Sequence, residues 1–173
     1  MSWLQLLCSE VALLERRKSK RSAIMRRKRG FNYYPDHATS LYYAASFGIE
    51  HVVLSLLEQG AEVDAAGGRL GATAFHAAAM RGHVNVMDIL LQKGADPNKA
   101  DFMKMTALHS AATHDELEAI KYLLDHDADP NMRDDRNETP YDWAYAFGYV
   151  KAQNFLKGVT SLEDEAPEAE SMS

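Results

Sequence analysis

Between residues 39 and 157 the apolar positions come in short helical bursts, each closed by Gly, Asp, Pro or Asn. Val84, Met87, Leu90 and Leu91 form one stripe at i, i+3 and i+4 spacing. Leu117, Ile120, Leu123 and Leu124 form another. The bursts pair up, so the pattern predicts a short helix, a turn at Gly48, Gly82, Asp115 or Gly148, and a second helix, repeated along the chain. Glycine suits such turns because a left-handed backbone costs it nothing, and Asp tolerates that geometry better than most residues.

The repeat can be located twice over. Thr39-Ser40-Leu41-Tyr42-Tyr43-Ala44-Ala45 is echoed by Thr73-Ala74-Phe75-His76-Ala77-Ala78-Ala79 and by Thr106-Ala107-Leu108-His109-Ser110-Ala111-Ala112. Thr139-Pro140-Tyr141-Asp142-Trp143-Ala144 is the fourth copy. Gly60-Ala61, Gly94-Ala95 and Asp127-Ala128 close the second helices at the same step. The paired alanines of the first helices remove bulk where neighbouring units must approach. Asp96-Pro97-Asn98 and Asp129-Pro130-Asn131 are turn formers that carry the chain away from the helices. One unit cannot bury its own stripe, so stability comes from stacking, at about 1.5 to 3 kcal/mol for each buried leucine or isoleucine.

At these residues the sequence resembles the ankyrin repeat family, whose unit of about 33 residues reads D-x-x-G-x-T-P-L-H-x-A-A-x-x-G-H, an apolar helix, then G-A-D-x-N. The resemblance runs from Tyr34 to Lys157. It implies an all-α, ankyrin-type helix-turn-helix solenoid with β-hairpin fingers, and units at 34–66, 67–100, 101–133 and 134–157. Three departures stand out. Proline follows threonine only at Pro140, the motif histidine kept at His76 and His109 becomes Tyr42 and Asp142, and the connection from Ala65 to Ala72 is one residue longer than the unit. Its Gly67-Gly68 pair resembles ankyrin arrays attached to nucleotide-binding signalling proteins of fungi.

The ends differ from the middle. Gln153 and Lys157 replace apolar residues equivalent to Met87 and Leu91, which marks a C-terminal cap. Residues 158–173 form an acidic tail whose carboxylates, between Glu163 and Glu170, have no basic neighbour, a composition that predicts disorder. At the other end, residues 1–15 predict an amphipathic helix with Trp3, Leu7, Val11 and Leu14 on one stripe. Three roles stay open for it: packing on the first repeat, lying on a membrane surface, or binding a partner.

Charge separates these parts further. The chain carries 19 Lys and Arg against 25 Asp and Glu, a formal net charge of -6. Nine of the cations lie between Arg16 and Arg29, within a basic linker at 16–33 that reads as an import signal, a phosphate-binding patch or a solvated connector. One cysteine, Cys8, excludes an intrachain disulfide and leaves a Cys-based zinc site short of ligands. No apolar run of about 18 residues offers a membrane span, and the order of apolar and basic stretches is wrong for a secretory signal. The chain reads as a cytoplasmic or nuclear monomer.

No catalytic arrangement emerges. His76 and His109 recur at the period of the repeat, and the resemblance gives them hydrogen bonds across the turn and to the next repeat. His37, His51, His83, His114 and His126 form no metal spacing, and there is no Gly-x-Ser-x-Gly or phosphate-binding glycine loop. No metal, cofactor or catalytic residue is expected, and neither nucleic acid nor membrane is the expected partner. The expected function is a non-enzymatic module that binds a protein. Two alternatives stand beside it: a nuclear regulator imported by its basic segment, and an adaptor anchored at a membrane surface through residues 1–29.

The resemblance implies contact through finger tips and the exposed side of the first helices. Carried over, these positions are Arg69, Leu70, Phe102, Met103, Met105 and Arg136 on the fingers, and Phe47, Met80, Arg81, His114 and Phe147 before the inter-helix turns. Phe102, Met103 and Met105 are apolar where a solvated finger is normally polar. With arginines around them, they are the expected centre of the interface.

Overall fold

The computed structural model describes residues 38–68 and 70–160. The expected N-terminal helix, the basic linker, Arg69 and residues 161–173 lie outside the described residues. Eight helices follow in four pairs: α1 (Ser40–Ser46) and α2 (Glu50–Glu58), α3 (Ala74–Met80) and α4 (Val84–Gln92), α5 (Ala107–Ala112) and α6 (Leu117–Asp125), α7 (Pro140–Ala146) and α8 (Val150–Lys157). First helices stack on first helices and second on second, so the apolar seam runs the length of the array.

Each first helix starts at a threonine held in extended conformation, Thr39, Thr73, Thr106 and Thr139. At the ends of the array the Oγ1 of Thr39 and Thr139 accepts the amide three residues on. Pro140 fits the first helical position, where no amide is needed. All four inter-helix turns are left-handed, with φ of 67° at Gly48, 66° at Gly82, 57° at Asp115 and 73° at Gly148. Gly48 has a second reason to lack a side chain: a Cβ there would sit 2.8 Å from Nδ1 of His83, whose ring lies on the turn and reaches Ser46 O through Nε2.

The alanine rows do what their size suggests. Ala45, Ala79 and Ala112 have no exposed surface, nor do Ala78, Ala111 and Ala144, so first helices meet almost backbone to backbone. Val53, Met87, Leu90, Ile120, Leu123 and Leu156 fill the seam from the second helices, all fully buried.

The fingers reverse the chain as expected of hairpins, yet no strand forms among the described residues. Each is a tight turn: Lys104 N donates to Asp101 O and Asp101 N to Met105 O, and the same pair of bonds joins Asn137 to Asp134 and Asp134 to Glu138. Among the described residues, neighbouring fingers are joined by backbone bonds from Phe102 N to Leu70 O and from Asp135 N to Met103 O.

Two departures seen in the sequence prove to be one structural feature. Tyr42, standing where the motif has histidine, lays its ring beside Gly67 and Gly68. A Cβ on Gly67 would fall 2.7 Å from the Tyr42 Cβ and 2.9 Å from Thr39 Oγ1. In the next finger Met105 O accepts from Asp101 N and from the His76 ring. Ala72 O, its counterpart, accepts instead from the amides of Gly67 and Gly68. The glycine pair therefore supplies both the space for a larger ring and the donor that ring cannot provide.

The expected cap residues lie in the last described repeat. Gln153 is half-buried and its amide donates to Ala144 O, while Lys157 is exposed. Tyr145 takes the place of the buried alanines and is 67% exposed, stacked on Tyr141. Of residues 158–173, assigned to the acidic tail, only 158–160 are described. Residues 158–160 form a turn on the end of α8, with Thr160 buried and its amide bonded to Leu156 O.

Candidate partner-binding surface

The threonine and histidine pairs set the pitch between fingers and helices. His76 Nδ1 meets the Thr73 amide at 3.2 Å and its hydroxyl at 2.9 Å, and Nε2 reaches Met105 O at 3.0 Å. His109 repeats this with Thr106 and with Glu138 O. Since Nδ1 accepts from an amide and Nε2 faces a carbonyl, the proton belongs on Nε2 and both rings are neutral. Burial pushes both pKa values down, against the opposing pull of the carbonyl contacts to Met105 and Glu138. These rings fasten each repeat to the finger of the next. Asp142 keeps the first half of the arrangement, accepting from the Thr139 amide and hydroxyl at 2.7 Å, and has no donor to offer a further repeat.

On this scaffold the positions before the turns stay in water: Phe47 at 70% exposure, Arg81, His114 and Phe147 at 52%. Met80 is half-buried beside Arg81. On the fingers Leu70 and Phe102 are about half exposed and Arg136 is exposed, while Met103 and Met105 are half-buried. Arg69 lies outside the described residues.

The expected apolar centre is thus only partly displayed. The Phe102 ring lies against the preceding finger, where a Cβ on Gly71 would meet it at 2.5 Å. The Met103 and Met105 amides are both tied to Asp101 Oδ1. Met105 knits the finger to His76 and shows little of itself.

The fourth repeat holds a cluster that the sequence reading passed over. Trp143 and Phe147 stack with centroids 5.8 Å apart, and Tyr149 stacks on Phe147 at the same distance. The Trp143 indole donates to Asp134 Oδ2 at 2.9 Å, and the Arg136 guanidinium lies 5.5 Å from its ring centroid. Burial opposes ionisation of Asp134. The Glu138 amide, the Trp143 indole and the Arg136 amide outweigh it and hold the carboxyl below its ordinary 3.8. The signal was present in the chain: Trp143 precedes Phe147 by four residues, so one helical face carries both.

Among the described residues no group of three or more His, Cys, Asp or Glu could hold a metal ion, and no helix is long and apolar enough to cross a membrane.

Comparison with known proteins agrees with this geometry. A family model described as ankyrin repeats (3 copies) matches residues 12–101, 41–134 and 100–160. Palmitoyltransferase Hip14 of Drosophila melanogaster is 41% identical over 63 residues, which make up 36% of this chain but only 10% of that protein.

Proposed function

The chain belongs to the ankyrin repeat family, and from that premise we propose that it is a non-enzymatic module gripping a partner protein with its fingers and first-helix turns. One observation carries the reading. Positions that build the stack repeat nearly unchanged, as threonine, alanine and leucine, whereas the solvent position before each turn holds Phe47, Arg81, His114 and Phe147 in succession. Stacking does not need these large side chains, and a graded row of aromatic and cationic groups is what recognition of one partner uses. Leu70, Met80, Phe102, Met103, Met105 and Arg136 extend the row onto the fingers, and Trp143 with Tyr149 strengthens its C-terminal end. The reading includes a monomer working in cytoplasm or nucleus. The likeness to a palmitoyltransferase spans a tenth of that protein and lends support to recognition, not to acyl transfer.

Affinity capture from a lysate tests this with two variants, Phe102→Ser with Met103→Ser and Arg81→Glu with Phe147→Ser. Both should lose the partner that the intact chain and a Lys93→Glu control retain, while both keep the helical circular dichroism of the intact chain. Equal capture by all four proteins would sink the proposed surface.

A further inference from the structure

The fourth repeat holds an arginine against an indole, an arrangement the inner repeats do not make. In the second and third repeats the positions of Arg136 and Trp143 are Leu70 with Ala77 and Met103 with Ser110. In the fourth, the Arg136 guanidinium lies 5.5 Å from the Trp143 ring centroid and the side chain is exposed. No carboxylate among the described residues pairs with it. Asp134 is spent elsewhere: its Oδ1 accepts the amides of Arg136 and Glu138 at 2.9 Å, and its Oδ2 accepts the Trp143 indole at the same distance. Asp135 is exposed beside it and closes no ion pair among the described residues. An indole fixed by its N–H thus forms a shelf for the arginine. Ring contact orients a guanidinium and leaves its planar fork of donors to a carboxylate. Next to the indole, at 5.8 Å between ring centroids, Phe147 is 52% exposed and is supported by Tyr149 stacked on it.

We propose that Arg136, Trp143 and Phe147 form one subsite for a segment of a partner protein that carries a carboxylate close to a large apolar side chain. The guanidinium takes the carboxylate, and the Phe147 ring beside Trp143 takes the apolar group. The proposal rests on the partner-binding reading above and narrows it to one chemistry. Charge selects this occupant over its rivals. A cationic segment would meet Arg136 and find both oxygens of Asp134 already engaged. A purely apolar segment would cover the guanidinium without giving it an acceptor, and an uncompensated buried charge is costly. Distance sets the spacing. The contacts of 5.5 Å and 5.8 Å laid end to end are the furthest that the guanidinium and the Phe147 ring centroid can lie apart, a reach of roughly three residues of extended chain. The acidic and apolar residues of the segment therefore stand within about three positions of each other.

Panning a random peptide library displayed on phage against the full chain tests the subsite, beside Arg136→Gln, Arg136→Lys and Phe147→Ala chains that keep the circular dichroism of the intact one. The intact chain should enrich Asp or Glu within about three positions of a large apolar residue. Arg136→Gln should keep the apolar preference and lose the acidic one, Phe147→Ala should do the reverse, and Arg136→Lys should retain both. A synthetic copy of an enriched peptide should bind the Arg136→Gln chain about tenfold more weakly, as expected for one charge-assisted contact. It should also shift Trp143 emission in a Trp3→Phe chain, where Trp143 is the only tryptophan. Enriched sequences without an acidic residue, the same motif on every chain, or no enrichment at all would overturn the proposal. The wider surface is judged separately by lysate capture, which the Phe102→Ser, Met103→Ser chain can lose even where no acidic motif is enriched.

Discussion

His76 and His109 each hold two elements together only while neutral, because protonation of Nδ1 turns the acceptor for the threonine amide into a donor. Their folded pKa values lie below the ordinary 6.5 of the unfolded chain. The stability tied to them is therefore complete above about pH 6.5, falls as the pH descends toward the folded values, and levels off below them. The melting temperature should drop between pH 7.5 and pH 5, and the drop should shrink in a His76→Gln, His109→Gln chain. A wild-type profile flat over that interval would contradict the assignment. A different residue invites a gain. Asp64 stands one repeat before Asn98, whose Oδ1 accepts the Asp129 amide while its Nδ2 donates to Asp127 O. Asp64 accepts the Asp96 amide in the same way, but its Oδ1 is buried without a partner. Asp64→Asn supplies the missing donor and should raise stability by about 1 kcal/mol, read as an increase in melting temperature. The histidine role was legible in the chain because its spacing matched a known unit. The orphaned oxygen was not, since it depends on a carbonyl contributed by the next repeat.

Among elements, the first helices set the tolerance of the array. Ala112 lies at a contact with no exposed surface, whereas its counterpart Tyr145, in the last described repeat, is 67% exposed. Ala112→Leu should therefore cost about 1 to 3 kcal/mol through overpacking, and Tyr145→Ala should change stability little, as measured by urea midpoints of the two variants. Similar losses would mean that the last repeat is not the end of the stack. The helices and their turns could be read from residue spacing, because those features depend on local backbone preference and on which side chains are small. The fingers could not. Whether they pair as strands depends on which backbone groups of adjacent fingers come opposite each other, and no strand forms among the described residues. Likewise nothing in the residue pattern links Tyr42 to Gly67-Gly68, because only the fold brings the ring into the space the glycines leave.

Over the whole molecule, an unbroken apolar seam carries a surface that changes from repeat to repeat. Phe47 and Phe147 mark its two ends, with Arg81 and His114 between them, and the expected finger patch is partly spent on packing against Gly71. The aromatic stack of Trp143, Phe147 and Tyr149 shifts the strongest candidate for an interface anchor toward the C-terminal end. By itself the sequence determined the repeat, its period, the alanine contacts and the family, because each is a one-dimensional regularity that neighbour stacking imposes on every unit alike. Only the tertiary structure decided which large side chains remain in water, which carbonyl each histidine meets, and that Leu54 is exposed where the other repeats carry Asp88, Lys121 and Asn154. Those outcomes depend on what the adjacent repeat places opposite a residue, and no property of the residue alone contains that.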